Sequence, residues 1–167
     1  MTPVVVALGS NVGDSLRFLG EAVEAVRAIV NVERVSHAYR TAPMYVEDQP
    51  PFLNGALIAN TSRGPRALLA KLKQIEKEIG RNPAQRYGPR EIDLDLIAYG
   101  SLRYSFAGGD KPLDLPHPKT VERRFVLMPL FEIAPLLLLP GLGRVEELLT
   151  QTKDQADDVV RLDDAQL

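Results

Sequence analysis

The chain has 167 residues, a mass of 18.4 kDa and 45% hydrophobic against 25% charged residues, the balance of one ordinary globular domain. Twenty basic and 22 acidic residues leave a net charge of -2, which argues against a general nucleic-acid binder and leaves anion binding to a local basic patch. The absence of cysteine and the presence of only two histidines exclude disulfides, thiolate metal centres and cysteine nucleophiles, and disfavour a multi-histidine metal site.

The first residues lack the basic start and long apolar core of a secretory signal. The most membrane-like stretch, Phe125 to Leu142, is interrupted by Pro129, Pro135 and Pro140, which suits a buried helix followed by a turn better than a membrane span. A soluble, cytoplasmic protein is expected. Pro3 to Leu8 is a valine-rich run suited to a central strand buried on both faces. The turn-rich segment Gly9 to Asp14 follows, then Leu16, Leu19, Val23, Val26 and Val30 recur at helical spacing on one face, with Asp14 or Ser15 as the cap. Val32 to Arg40 reads as a second strand with Val35 as its clearest inward position, and a loop rich in proline and acid leads to a third strand, Phe52 to Thr61. Gly64-Pro65 opens a helix that carries Leu68, Leu72, Ile75 and Ile79 on one face and closes at Gly80. Glu76 falls on the outer face of that helix.

A loop with three arginines and no acid, Arg81 to Arg90, precedes the strand Ile92 to Tyr99. Gly100 to Leu115 suggests a short hairpin, Pro116 to Arg124 a polar turn, Phe125 to Ala134 a core helix and Val145 to Thr150 a last short helix. The acidic end from Lys153 onward is expected to fray. Strand, helix, two strands, helix, strand is the βαββαβ plan of a ferredoxin-like α+β fold, here in a single domain with additional C-terminal helices.

Asp93-Leu94-Asp95-Leu96 is the strongest local feature. Alternation puts Asp93 and Asp95 on one face of a strand, roughly 7 Å apart, where they can hold hard cations against a polyphosphate. A solvated face of a half-buried strand is the plain alternative. Aspartate is depleted in strands, and an arginine loop directly before the pair favours metal and phosphate together. Lys119, Arg123 and Arg124 form a second basic cluster after Pro116-His117-Pro118, where a histidine between prolines reads first as a turn residue. No P-loop, dinucleotide fingerprint or nucleophile elbow occurs, so a bound nucleotide would rely on arginines and metal.

The order of Ala7-Leu8-Gly9-Ser10-Asn11, Tyr39-Arg40-Thr41-Ala42-Pro43, Asp48 to Asn54, Gly80-Arg81, Arg86 to Arg90, Ile92 to Leu96, Pro116-His117 and Arg123-Arg124-Phe125 resembles the 6-hydroxymethyl-7,8-dihydropterin pyrophosphokinase family, over about Val4 to Pro135. The resemblance implies transfer of pyrophosphate from MgATP to the pterin hydroxymethyl group, with release of AMP, in folate biosynthesis. It implies two magnesium ions on Asp93 and Asp95, with Arg81 and Arg90 joining them as catalytic groups. ATP contacts would fall on Arg81, Tyr87, Arg90, Leu96, His117, Arg123, Lys73 and Glu76, and pterin contacts on Thr41, Pro43, Met44, Phe52, Asn54 and Phe125. ATP and the pterin are the expected partners of a monomer that binds neither nucleic acid nor membrane. The chain departs from the family pattern at Asn82-Pro83, Tyr87, Pro118 and Lys73. The rival readings are a non-catalytic nucleotide-sensing module and a nucleotidyl or ADP-forming phosphoryl transferase.

Overall fold

Strand β1 (Thr2–Ser10) holds the centre of the molecule because its side chains from Val4 to Leu8 are buried on both faces. In the computed structural model, which describes residues 1–80, 89–109 and 112–167, β1 pairs antiparallel with β4 (Phe52–Thr61) on one edge and with β5 (Asp93–Tyr99) on the other. β4 also pairs with β2 (Asn31–Val35) and β3 (His37–Thr41), and β10 (Val159–Gln166) adds to β3. The six-stranded sheet therefore runs β10-β3-β4-β1-β5, with β2 beside β4.

Both faces are covered. Val4, Val6, Leu8, Leu94 and Leu96 pack on one side against α1 (Ser15–Arg27) and α2 (Pro65–Ile79), through Leu19, Val23, Val26, Leu68, Leu72 and Ile75. Val5, Ala7, Ala56, Ile97 and Ala98 pack on the other against α3 (Arg124–Ile133) and α4 (Val145–Thr150), through Val126, Leu127, Leu130, Val145 and Leu148. A hairpin of β6 (Tyr104–Phe106) and β7 (Leu113–Leu115) and a two-residue ribbon of β8 (Leu138–Leu139) and β9 (Gly143–Arg144) complete the fold.

Several local expectations match closely. The third strand has the expected limits, α2 starts at Pro65, and Gly80 closes it in the left-handed conformation at φ 115°. Four features differ. Leu16 is exposed, because the buried stripe of α1 runs through Leu19, Ala22, Val23 and Val26. The second strand breaks at buried Ser36, whose hydroxyl accepts from the Ala56 amide in place of a regular ladder partner. Glu76 is buried rather than solvated. The acidic C-terminal segment forms β10, held by backbone pairing to β3 and by burial of Val159 and Ala165.

A half-buried polar knot fixes α3 to the sheet. Glu132 accepts from the His37 amide at 3.1 Å and from the Tyr39 hydroxyl at 2.8 Å, and lies 2.7 Å from His37 Nδ1. Burial alone would raise the Glu132 carboxyl, but the bonds from His37 and Tyr39 outweigh it and hold it below the ordinary 4.5. The charged form therefore stabilises the fold above that pH, and the contribution is lost as pH falls through the lowered folded value. Glu132→Gln should cost about 1–3 kcal/mol at pH 7. Denaturant unfolding across pH should show the gap between the two proteins narrowing below pH 4.5; a constant gap would contradict this account.

Candidate functional site

The antiparallel register lines up Tyr39, Asn54, Gly9 and Asp93 as neighbours across four strands, on the α3 face of the sheet. One row along, Ala7 lies between Ala56 and Asp95. A bulge sets the limit of the site, since Val5 pairs with Ala98 and Val6 with Leu96, leaving Ile97 as an extra residue. Ile97 and Ala98 both join the core under α3, while Asp93 and Asp95 remain part-exposed beyond it.

Gly9 is the floor between the two halves. A Cβ there would meet Asn54 Nδ2 at 2.9 Å, so only glycine leaves the amide in place. Asn54 is held by a 2.6 Å bond from the Thr41 hydroxyl to its Oδ1. Phe52 lies two residues along β4 on the same face, and Phe125 enters from the first turn of α3; both rings are half-buried. Pro43 and Met44 are half-buried in the loop that follows β3. Two half-buried aromatic rings and an anchored amide are a set of groups suited to a flat polar heterocycle.

On the other side of Gly9, cations surround the two aspartates. Lys73 Nζ lies 3.9 Å from Asp93 and 3.9 Å from Asp95. Arg90 Nη1 is 2.9 Å from Asp93 Oδ2, and Arg123 Nη1 is 3.9 Å from Asp95 Oδ2. Lys73 and Glu76 also seal the outer edge of β5. The Leu94 amide donates to Glu76 Oε1 at 2.6 Å, and Lys73 Nζ donates to the Leu94 carbonyl at 2.8 Å and to Glu76 at 2.7 Å. Burial pushes the Glu76 carboxyl up, against the pull of Lys73. Burial and the charge of Asp93 likewise push up the Asp95 carboxyl. Burial pushes the His117 imidazole down, against the pull of Asp95. Its Nδ1 accepts from the Lys119 amide, so the neutral ring carries its proton on Nε2.

Asp93, Asp95, Lys73, Glu76, Arg90, His117 and Arg123 thus come together, facing Thr41, Phe52, Asn54 and Phe125. Leu96 does not join them, since its side chain is buried under α1 and α2. Arg81 and Tyr87 lie outside the described residues. Among the described residues, no cluster of three or more His, Cys, Asp or Glu forms a complete metal cage. Two carboxylates suit magnesium nonetheless, because that ion keeps several waters and takes further ligands from substrate phosphates.

Asn11 is a joint that motif reading left without a role. Its buried side chain donates to Gln49 Oε1 and the Pro50 carbonyl and accepts from the Arg90 amide, while its own amide donates to the Arg90 carbonyl. One residue therefore sets the loop after β1, the loop before β4 and the arginine that meets Asp93.

Residues 5–135 match the family model described as 7,8-dihydro-6-hydroxymethylpterin-pyrophosphokinase (HPPK). The chain belongs to the HPPK family. It is 39% identical over 140 residues to a 2-amino-4-hydroxy-6-hydroxymethyldihydropteridine pyrophosphokinase of Aquifex aeolicus, covering 84% of this chain and 85% of that one. The protein of the same name from Bacillus subtilis is 43% identical over 130 residues, covering 77% and 75%. The chain is 47% identical over 131 residues to the mitochondrial folate synthesis bifunctional protein of Pisum sativum, covering 78% of this chain but only 25% of the pea protein. It thus spans about a quarter of that longer relative. Among solved structures, the Plasmodium falciparum HPPK-DHPS matches with a TM-score of 0.78 at 13% identity, over 93% of this chain and 45% of the other. That likeness is one of fold. HPPK-type folding here includes no helix, among the described residues, long and apolar enough to cross a membrane.

The raised carboxyl of Asp95 means that its charge opposes folding once the pH exceeds the ordinary 3.8, increasingly so up to the folded value and fully above it. In chelator at pH 7, Asp95→Asn should therefore raise Tm, measured by thermal unfolding of both proteins. A lower Tm would show that the site's cations already over-compensate the charge.

Proposed function

We propose that this chain transfers the pyrophosphoryl group of MgATP to 6-hydroxymethyl-7,8-dihydropterin, giving AMP and the pterin diphosphate, as a step of folate biosynthesis. The observation that carries the reading is the meeting, across Gly9, of the Asn54 pocket with the Asp93–Asp95 pair in a chain of the HPPK family. The acceptor hydroxymethyl would reach from the pocket toward the phosphates held on the aspartate side. Its oxygen attacks the β-phosphorus, and the bond from that phosphorus to the bridging oxygen breaks as AMP leaves.

Asn54, fixed by Thr41, reads the edge of the heterocycle, and Phe52 and Phe125 hold its faces. Pro43 and Met44 border the pocket. Asp93 and Asp95 would hold magnesium, two ions in this reading, which neutralises phosphate charge and acidifies the acceptor hydroxyl. Arg90 and Arg123 draw the triphosphate in and offset the charge that builds on the leaving AMP. His117 offers its Nε2 proton to a phosphate oxygen. Asp95 is the carboxylate placed to take the acceptor's proton. Lys73 and Glu76 fix β5 and the charge around the pair, and Arg81 and Tyr87 complete the ATP side of the proposal.

A ferredoxin-like core belongs to the same reading. It is supported by the interleaving of β1-α1-β2 and β4-α2-β5, which places β1 between β4 and β5. So do a monomeric state, a cytoplasmic setting and the absence of nucleic-acid partners, which the small net charge and the lack of cysteine favour.

Nucleotide products should be analysed with MgATP in the presence and absence of the pterin. The expected result is AMP formed one-for-one with pyrophosphorylated pterin. ADP would make the protein an ordinary kinase, and tight MgATP binding without turnover would make it a sensing module. Asp93→Ala and Asp95→Ala should each lower kcat by about 100-fold or more; near-normal turnover in magnesium would refute the metal site.

A further inference from the structure

Tyr45 stands out in the loop between β3 and β4. Its φ of 72° makes it the one non-glycine residue with a positive φ among the described residues, a conformation unfavourable for a bulky side chain. The residue is 41% exposed, so burial does not hold it there. Its partners do. The Tyr45 hydroxyl donates to Glu122 Oε1 at 2.6 Å and accepts from Arg123 Nε at 3.3 Å. Lys119 Nζ lies 4.5 Å from the ring centre and the Arg123 guanidinium 5.6 Å, both within cation–π range.

Lys119, Glu122 and Arg123 all belong to the segment that runs from His117 into α3. The same Arg123 guanidinium is 5.7 Å from the ring of Phe125 and reaches to 3.9 Å from Asp95. At the other end of the loop, Asn11 ties down Gln49 and Pro50. The Ala42 amide also donates to the Asp158 carbonyl, so the segment 42–51 is held at both ends, and Tyr45 fastens it directly to a cation of the phosphate side. Backbone strain held in place by surrounding contacts is a sign of functional constraint.

We propose that Tyr45 is a positioning residue that locks the 42–51 loop onto Arg123, so that the acceptor pocket and the phosphate-side arginine take their working positions together. The role rests on the reaction proposed above. Pro43 and Met44 border the acceptor, immediately before Tyr45, while Arg123 faces Asp95. The phenol oxygen works in both directions, as a donor to Glu122 and an acceptor from Arg123. Burial and the Glu122 carboxylate keep its proton in place. A phenylalanine would keep the ring contacts and lose both hydrogen bonds. A glycine would relax the backbone and lose the latch entirely.

Tyr45→Phe should raise KM for both MgATP and the pterin by about 3–10-fold, the net worth of one ordinary hydrogen bond, because the latch is exposed and acts on the site only through the loop and Arg123. Its kcat should change less than either KM, and its Tm should stay close to that of the parent. Tyr45→Gly should raise both KM values further although its backbone is relaxed, a pattern that a purely structural tyrosine would not give. Hydrogen exchange gives a readout independent of turnover, with amides of 42–47 and 117–123 exchanging faster together in Tyr45→Phe. Parent-like KM values and exchange in that variant would overturn the proposal, as would faster exchange confined to the loop with KM for MgATP unchanged. A parent protein that forms no AMP would refute the reaction, whereas joint acceleration of both segments would still support the latch.

Discussion

The hydrogen bonding of β1 along both of its edges is the constraint on which the rest of the molecule depends. Because β4 and β5 lie on opposite sides of the same strand, Asn54 and Asp93 are each one strand away from Gly9. No loop closure is needed to bring the Asn54 amide near the Asp93 carboxylate. The sheet does it through register, and register is strongly specified here because a slip of one residue would turn Val4, Val6 and Leu8 away from the helices that cover them. Core packing and site geometry are therefore one requirement.

The site built on that floor is electrostatically divided. Asp93, Asp95 and Glu76 gather negative charge in a partly desolvated place, and Lys73, Arg90 and Arg123 compensate it from three separate elements. Each cation reaches the aspartates from a different direction, two of them at 3.9 Å rather than in tight contact. Such an arrangement stabilises anionic groups without closing them off, which suits the magnesium–phosphate complex of the proposed reaction better than a fully paired cluster would.

Much of this was legible in the chain. The period-two pattern of Ile92 to Leu96 put both aspartates on one face, and the Gly64-Pro65 start and Gly80 stop framed α2 closely. Shared motifs then tied those pieces to a reaction that composition alone could not name. What escaped reading has physical causes. Glu76 lies at the margin of its helix's apolar stripe, and only the edge of β5 beneath it turns a nominal surface position into a buried one. The strand β10 looks solvated because it is an edge, with one apolar face and many charges, so its sequence resembles a loose tail. Asn11 and Tyr45 act between loops far apart in sequence, where periodicity carries no information, and Tyr45 takes a backbone conformation that its side chain would disfavour in isolation.

The seal along the outer side of β5 has a consequence for how this protein behaves among other copies of itself. A terminal strand with free amides and carbonyls is a template for another chain's strand, and a crowded solution turns that into aggregation. Here the Leu94 amide and carbonyl are occupied by Glu76 and Lys73, side chains that a neighbouring backbone would have to displace. The pair that tunes the charge beside the aspartates therefore also guards the sheet against growth.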